Sequence, residues 1–300
     1  GYAEGGFLKH GVQKDMIAFR DLLKSRLGRQ MMGANEGDTG PILMQPAGGM
    51  DQIIRGFLNH VGEQVKYRAM VTSVKVTDKG VNVAYDQDGV RHSLEVDYCF
   101  NCIPTHLMVG IDHNFPSDYV TAMKYVRRGE AYKAAFQAKH RFWEDLDIYG
   151  GISWSNTKSR QLWYPSHGIH KAKGIVLGAY DYGGGMYHTM MSQEERIEAH
   201  LADHEKIHPD FRELVEKPIT IGWHRMNHML GCSARWSRNF GRGWTHEEET
   251  LYHTLKAPVN GRHYFIGDQI SMHSAWQESA VMSAQWALSH MDAQVRAELA

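Results

Sequence analysis

The feature that most constrains this chain is a change of hydrophobic period between residues 65 and 104. Val74 and Val76, then Val81, Val83 and Tyr85, alternate with polar residues, and Asp78-Lys79-Gly80 supplies the turn between the runs. Asp88-Gly89 is a hairpin signal leading into Leu94 and Val96. The apolar run Tyr98-Cys99-Phe100-Asn101-Cys102-Ile103 reads as a buried strand of the same small antiparallel meander. Helical periods flank this block, so the chain mixes α and β rather than being built from either alone.

Residues 1–11 form a glycine-rich lead-in. Met16, Phe19, Leu23 and Leu27 make one stripe of a helix over about 13–27, followed by a loop through Gly33, Gly37 and Gly40. A second helix starts near Met50 and carries Ile53, Ile54, Phe57 and Leu58. Beyond the meander the pattern predicts a helix over Ser117 to Arg127 and strands at 132–138, 161–164 and 175–180. Ser192 and Glu195 fit a capping box opening a helix through about Ile207. Residues 219–262, rich in His, Arg, Trp and Gly, read as irregular. A short strand at 262–266 and a helix over 274–291 complete the reading, with Trp276, Ala280, Ala284 and Leu288 on one helix face.

The 300 residues carry 33 Lys+Arg and 34 Asp+Glu, a formal charge of −1, which argues against a nucleic-acid-binding face or a membrane-surface protein. No apolar run reaches the ~20 residues that span a bilayer. Three cysteines cannot form a disulfide framework, and Cys99, Cys102 and Cys232 sit in apolar settings where free thiols are usually inert. The 19 histidines invite a metal reading through His224 and His228, four apart, or His246 and His253. Arg225 stands where a metalloprotease helix needs Glu, so no metal site is expected. There is no Gly-x-Ser-x-Gly elbow. Gly183-Gly184-Gly185 follows a strand, but His188 occupies the place of the third glycine of a dinucleotide fingerprint.

The block Tyr264-Phe265-Ile266-Gly267-Asp268, continuing through Ser274-Ala275-Trp276-Gln277, reads as strand, glycine turn and helix start, with Ser274 and Gln277 as a capping box. Free amides at such a tip can hold a phosphate, a carboxylate or the pyrimidine edge of a reduced flavin; an ordinary strand–helix junction is the plain alternative.

Read with Gln45-Pro46-Ala47-Gly48-Gly49-Met50-Asp51, Ala69-Met70-Val71-Thr72-Ser73-Val74, Phe142-Trp143-Glu144-Asp145, Gly150-Gly151-Ile152-Ser153-Trp154, Trp163-Tyr164-Pro165-Ser166-His167 and Trp223 with Gly231, that block resembles the C-terminal portion of flavin-dependent amine oxidases, most closely the L-amino-acid oxidases. The resemblance implies an α+β or α/β architecture: an amine-oxidase-like substrate domain of mixed sheet and helices, plus the C-terminal part of an FAD-binding domain. It divides the chain into a helical lead-in (1–45), part of the FAD-binding domain (46–104), a substrate-binding domain (105–240) and a C-terminal FAD-binding segment (241–300).

By the same resemblance Val71 contacts the adenine side of FAD through its backbone, and Trp223 lines the flavin. Gly267, Asp268, Ala275, Trp276 and Gln277 meet the cofactor, Asp268 standing where the family usually has Glu. Lys133 matches a lysine that holds a water at the flavin's reactive nitrogen. Tyr164 matches a tyrosine that hydrogen-bonds the substrate carboxylate, and a buried core tyrosine is its plain alternative. Ser233, Trp236, Ala275 and Trp276 flank the substrate, with Met186 a further pocket candidate. The implied activity is oxidative deamination of an L-amino acid to a 2-oxo acid, ammonia and H2O2. An amine or polyamine oxidase, a flavin amino-acid monooxygenase and a non-catalytic binding subunit are the rival readings.

The family's N-terminal glycine-rich FAD-binding unit and its carboxylate-clamping arginine are missing, and the chain opens on Gly1. The resulting expectation is one chain of a hetero-oligomer, completed by a partner polypeptide that carries the dinucleotide-binding unit.

Overall fold

The computed structural model describes residues 2–3, 10–13, 18–25, 44–237 and 243–300. Its strands in chain order are β1 (Tyr2–Ala3), β2 (Val12–Gln13), β3 (Ala69–Val76), β4 (Val81–Gln87), β5 (Val90–Val96), β6 (Cys99–Asn101), β7 (Asp112–His113), β8 (Arg127–Arg128), β9 (Ala131–Ala138), β10 (Ile152–Trp154), β11 (Gln161–Trp163), β12 (Gly174–Tyr182), β13 (Val215–Gly222), β14 (Ala234–Arg235) and β15 (His263–Phe265). The described α-helices are α1 (Phe19–Lys24), α2 (Asp51–Val61), α3 (Thr105–Met108), α4 (Ser117–Tyr125), α5 (Gly185–Thr189), α6 (Gln193–His204), α7 (Phe211–Leu214), α8 (His246–Lys256) and α9 (Gln277–Leu299). None is long and apolar enough to cross a membrane. The chain divides into two units, residues 1–60 with 130–222 and residues 61–129 with 223–300.

The first unit is built on a five-stranded antiparallel sheet in the order β10-β11-β12-β9-β13. Strand pleating sends alternate side chains of β9 to opposite faces. Tyr132, Ala134, Phe136 and Ala138 join Phe142, Trp143, Leu162, Val176 and Phe211 in a buried core, while Lys133, Ala135 and Gln137 take the other face, half-buried. The Ser192–Glu195 capping box forms as its spacing predicts, with each residue's N–H donating to the other's side chain at 3.2 and 2.7 Å. Helix α6 lays Ile197 and Leu201 against this core and buries His200 and His204.

In the second unit the meander forms as β5-β4-β3, with β7 added in parallel beside β3. Val74, Val76 and Val81 pack in one core with Met108, Tyr119, Met123, Tyr252, Leu255 and Phe265. Residues 105–129 and 223–237, assigned by the sequence to a substrate-binding segment, group with this unit.

Several expectations are corrected. The strand at 98–103 leaves the meander: β6 pairs in parallel with β15, which is fully buried, so its apolar run serves a separate two-stranded sheet. Val12–Gln13 is strand and only Phe19–Lys24 of the 13–27 helix is helical among the described residues; the loop at Gly33, Gly37 and Gly40 lies outside them. The irregular stretch 219–262 contains the end of β13 and all of α8, whose Thr245–Glu248 capping box was overlooked among the histidines. Helix α9 starts at Gln277 and runs to Leu299, and it buries Ser279, Ser283 and Ala287 rather than the Trp276–Leu288 stripe.

The first core is unusually polar. His200 lies between the Tyr132 hydroxyl at 2.9 Å and the Ser159 hydroxyl at 2.8 Å, and His204 Nε2 meets the Gly178 carbonyl at 2.5 Å. Burial disfavours the imidazolium, holding His188, His204 and His208 below their ordinary value and bringing His200 down to about 3. Below pH 6.5 the unfolded chain therefore binds protons that the native core refuses, and stability falls as pH drops toward 3. A fully titrating histidine contributes a slope of about 1.4 kcal/mol per pH unit. The denaturant midpoint, followed by tryptophan fluorescence, should fall steadily from pH 7 to pH 5; a flat profile contradicts this assignment.

Candidate functional site

The face of the first sheet turned away from its core sets Lys133 beside aromatic rings. Lys133 on β9 is in register with Tyr180 on β12 and Ile221 on β13. Its ammonium stands 4.5 Å from the centre of the Tyr180 ring, within cation–π range. The Tyr180 and Tyr182 hydroxyls lie 2.5 Å apart, with ring centres at 4.9 Å. Trp163 closes on Tyr180 at 5.9 Å and donates its indole N–H to Gln161.

A bulge creates this arrangement. The β9 register jumps from Leu177–Ala135 to Ala179–Ala134, so Gly178 is left over. A side chain there would meet Phe136 at 2.6 Å, which is why glycine occupies the position. Past the bulge the phase of β12 reverses. Tyr180 and Tyr182 face Lys133, while Asp181 turns to the buried side, ion-paired with Arg160 at 3.1 Å. The strand residues immediately around Lys133, namely Ala135, Trp163, Tyr180, Tyr182 and Ile221, include no carboxylate. A half-buried ammonium over a phenol ring suits a ligand's carboxylate.

Tyr164 is not part of this face. The alternation that sends Gln161 and Trp163 outward sends Leu162 and Tyr164 into the core, where Tyr164 is 6 % exposed. Its hydroxyl is engaged by Ser153 at 2.8 Å and by His208 Nε2 at 2.6 Å, and burial pushes its pKa up. The expectation that Tyr164 reaches a substrate carboxylate is corrected: it is a hydrogen-bonded core tyrosine. Tyr180, Tyr182 and Trp163 are the residues that sequence reasoning missed, and only the register of β12 against β9 reveals the first two.

In the second unit five of the residues expected at a flavin, Gly267, Asp268, Ala275, Trp276 and Gln277, lie in the approach to α9 and its first turn. Gly267 adopts φ 92° and ψ −168°, a conformation reserved for glycine, and donates its N–H to Ser283 Oγ at 2.7 Å. A Cβ at Gly267 would meet open space, so the glycine serves a conformation and an open flank rather than tight packing. Ala275 is left-handed at φ 77°, which delays the helix to Gln277. The expected Ser274–Gln277 capping box is therefore absent. Trp276 is the N-cap and supplies no side-chain cap, while the Ser279 hydroxyl turns back to the His273 and Trp276 carbonyls. Ala275, Trp276 and Gln277 are exposed at this tip, Trp276 beside the His273 ring at 6.2 Å.

Asp268 has a different task from the one expected. One carboxylate oxygen accepts from Arg128 Nη1 at 3.2 Å and from the Ala234 N–H, the other from the Ala275 N–H at 2.5 Å. Arg128 also donates to Gln269 Oε1 at 2.9 Å and to the Cys232 carbonyl at 3.1 Å. The acid thus ties β8, β14 and the approach to α9 together instead of facing a ligand. Trp236 is likewise corrected from pocket to core: it is 3 % exposed, donates its indole N–H to the Gln269 carbonyl at 2.9 Å and packs on Tyr252. Ser233 is buried, its carbonyl accepting from Gly129 at 3.0 Å. Val71 lies half-buried beside the β3 bulge between Val71 and Ser73. Trp223 opens a 3-10 turn and accepts the Gly231 N–H at 3.2 Å. Met186 is half-exposed on α5. His224 lies in that 3-10 turn and His228 is left-handed, so the pair shares no helix face.

FAD fits the second unit at the α9 tip. An uncapped first turn leaves amide donors for an electron-rich acceptor, and Gly267 leaves its flank clear. The chain itself offers no strand–GxGxxG–helix unit for the pyrophosphate. The chain belongs to the flavin containing amine oxidoreductase family, whose model matches residues 12–287, and FAD is the cofactor. It is 26 % identical over 267 residues to the flavin-dependent L-tryptophan oxidase RebO of Lentzea aerocolonigenes, covering 85 % of this chain and 54 % of that protein. To the L-amino-acid oxidase of Echis ocellatus it is 23 % identical over 244 residues, covering 79 % and 47 %. Putrescine oxidase shares the fold at a TM-score of 0.69 and 18 % identity, over 82 % of this chain and 53 % of that one. Cyclohexylamine oxidase from Brevibacterium oxydans IH-35A also shares it, at 15 % identity and a TM-score of 0.68, over 83 % and 53 %. The chain spans about half the length of the curated relatives it matches.

Two substitutions separate core from site. Tyr164→Phe strands the Ser153 hydroxyl and His208 and should lower the unfolding free energy by about 1–2 kcal/mol, read from denaturant titration. Asp268→Ala leaves Arg128, whose side chain is 9 % exposed, without its carboxylate. Its cost should be about 3 kcal/mol, the low end for a buried pair, because 22 % of the Asp268 side chain reaches water.

Proposed function

We propose that this chain supplies the substrate side and part of the flavin site of an FAD-dependent L-amino-acid oxidase. The observation that carries the reading is the Lys133 ammonium on an aromatic face whose neighbouring residues hold no carboxylate. Such a face attracts an anionic group and repels a dication. That favours a substrate with an α-carboxylate over a polyamine, in line with the amino-acid oxidases among the relatives.

Bound FAD would supply a two-electron acceptor for the hydride of the substrate's α-carbon, with O2 as the final oxidant and H2O2 as its product. The residues proposed to hold it are Gly267, Ala275, Trp276 and Gln277 at the helix tip, with Trp223 and Val71. Tyr180 takes the place first assigned to Tyr164, its phenol offering a hydrogen bond to the substrate carboxylate. Lys133 supplies positive charge and holds a water with its ammonium protons. Trp163 and Tyr182 keep bulk water from the reacting carbon, which strengthens each polar contact there. The imino acid released is then hydrolysed to the 2-oxo acid and ammonia. The unit that grips the FAD phosphates is proposed to come from sequence outside these 300 residues.

The test is anaerobic titration of the flavin-loaded enzyme containing this chain. L-Amino acids should bleach the flavin, the corresponding amines without a carboxylate should not, and reoxidation should release one H2O2 per turnover. Bleaching by amines alone would replace this reading with an amine oxidase. Lys133→Met should slow flavin reduction by about a hundredfold or more, the range of a lost proton-handling group, while leaving the flavin bound.

A further inference from the structure

We propose that β5 is a docking edge for a second copy of this chain, the two β5 strands pairing antiparallel about a two-fold axis at Ser93. The inference goes beyond the oxidase reading and needs no cofactor.

Strand β5 forms one edge of the β5-β4-β3-β7 sheet, and all seven of its residues are exposed. Edge strands are ordinarily blunted by proline, lysine or a bulge. The sequence of β5, Val-Arg-His-Ser-Leu-Glu-Val, carries neither residue, and it pairs with β4 from Val90 to Val96 without a shift. The hairpin sets its phase. Asp88 and Gly89 both take positive φ, as a two-residue type I′ turn requires, so the flanking Gln87 and Val90 form a hydrogen-bonded pair. Alternation then turns the backbone groups of Val90, His92, Leu94 and Val96 toward β4, and those of Arg91, Ser93 and Glu95 toward the open edge.

This edge is complementary to itself in charge, backbone phase and apolar surface. With Ser93 opposite its counterpart, Arg91 meets Glu95 of the other copy and Val90 meets Val96, each twice by symmetry. On its own sheet Glu95 faces Asn82 rather than a cation, and the other copy supplies one. The same register makes 91–95 and 93–93 the hydrogen-bonded pairs, in step with the outward backbone groups. Sliding one copy to put His92 or Leu94 on the axis keeps that phase but breaks the Arg91–Glu95 pairs. The face shared by Val90, His92, Leu94 and Val96 continues a core surface: Val83 and buried Val81 are cross-strand neighbours of Leu94 and Val96. Val90, Leu94 and Val96 remain 57, 39 and 36 % exposed, and the other copy's matching residues would cover them.

The experiment uses the flavin-loaded enzyme containing this chain, with sedimentation velocity over a concentration series and amide hydrogen exchange. The enzyme should dimerise, and exchange at Arg91, Ser93 and Glu95 should slow by about tenfold or more as the dimer forms. Glu95→Arg sets like charges opposite each other twice and should weaken the dimer by about tenfold or more, as should Arg91→Glu. An equimolar mixture of these two variants restores both ion pairs and should dimerise again, which also shows that each is folded. Ser93→Pro, whose lost N–H points away from β4, should weaken self-association while the meander stays intact. A monomer at every concentration, a dimer indifferent to Glu95→Arg and Ser93→Pro, or a mixture no tighter than its separate variants would overturn the inference. None of these outcomes touches the oxidase reading, which the anaerobic flavin titration decides by itself.

Discussion

The pleat of one strand governs the first unit. Strand β9 presents Tyr132, Ala134 and Phe136 to the core and Lys133, Ala135 and Gln137 to the opposite face. A slip of one residue would exchange these sets, driving the Lys133 ammonium into hydrocarbon at several kcal/mol and turning the Tyr132 ring outward. The neighbours lock the register from both sides, β12 and β13 each pairing along most of β9's length. The chemistry then depends on a single irregularity in that lattice. Without the bulge at Gly178, simple alternation from Leu177 would place Ala179 opposite Lys133 and turn Asp181 onto the same face, opposite Ala131. A carboxylate would neutralise the cation, and no phenol would stand beside it. The bulge replaces an ion pair by a cation–π contact and leaves the ammonium's charge available.

The second unit solves a different problem, that of holding a helix tip open. A helix start usually satisfies its first amides with a side chain. Here Ala275 takes a left-handed conformation costing about 1–2 kcal/mol for a residue with a Cβ. Asp268 offsets that cost by accepting the Ala275 N–H, while Arg128 and the Ala234 N–H engage its other oxygen. The result is a first turn whose amides begin only after the clamp. Small residues complete the design: a side chain on Gly231 would strike Arg128 at 2.4 Å, and Ser279, Ser283 and Ala287 let α9 lie close to its support.

Much of this was legible in the sequence and some was not, for physical reasons. The meander at 69–96 was readable because apolar residues alternate with polar ones along its sequence and its turns carry Asp and Gly, even though β5 is exposed along its whole length. The α6 start was readable because a capping box is a local interaction of four residues. Lys133 and the α9 tip were reached by resemblance; the structure places Lys133 half-buried on the open face of β9 and leaves Ala275, Trp276 and Gln277 exposed. Tyr164 was misplaced by one step of the pleat, since Trp163-Tyr164 is an aromatic pair whose facing is fixed by β11's partners. Tyr180 and Tyr182 were invisible because a bulge resets the phase at a point no single strand announces. Asp268 looked like a ligand contact because its three donors come from residues 128, 234 and 275, far apart in the chain.

The buried histidines bear on the same charge. His188, His200 and His204 form a layer on the far side of the sheet from Lys133, with His188 stacked on Tyr132 at 4.4 Å and on His200 at 4.9 Å. Burial keeps these imidazoles neutral, so they hydrogen-bond the strands without placing a second cation behind the lysine. Asp181, the one carboxylate carried into that layer from β12, is paired with Arg160 and lies 4.0 Å from His188. At neutral pH the imidazoles of this layer therefore add no charge behind Lys133. Protonating the layer would do two things together: it would introduce cations into a core that cannot solvate them, and it would add to the field on the opposite face. Stability and the electrostatics of the site are coupled through one strand whose two faces carry the imidazoles and the ammonium.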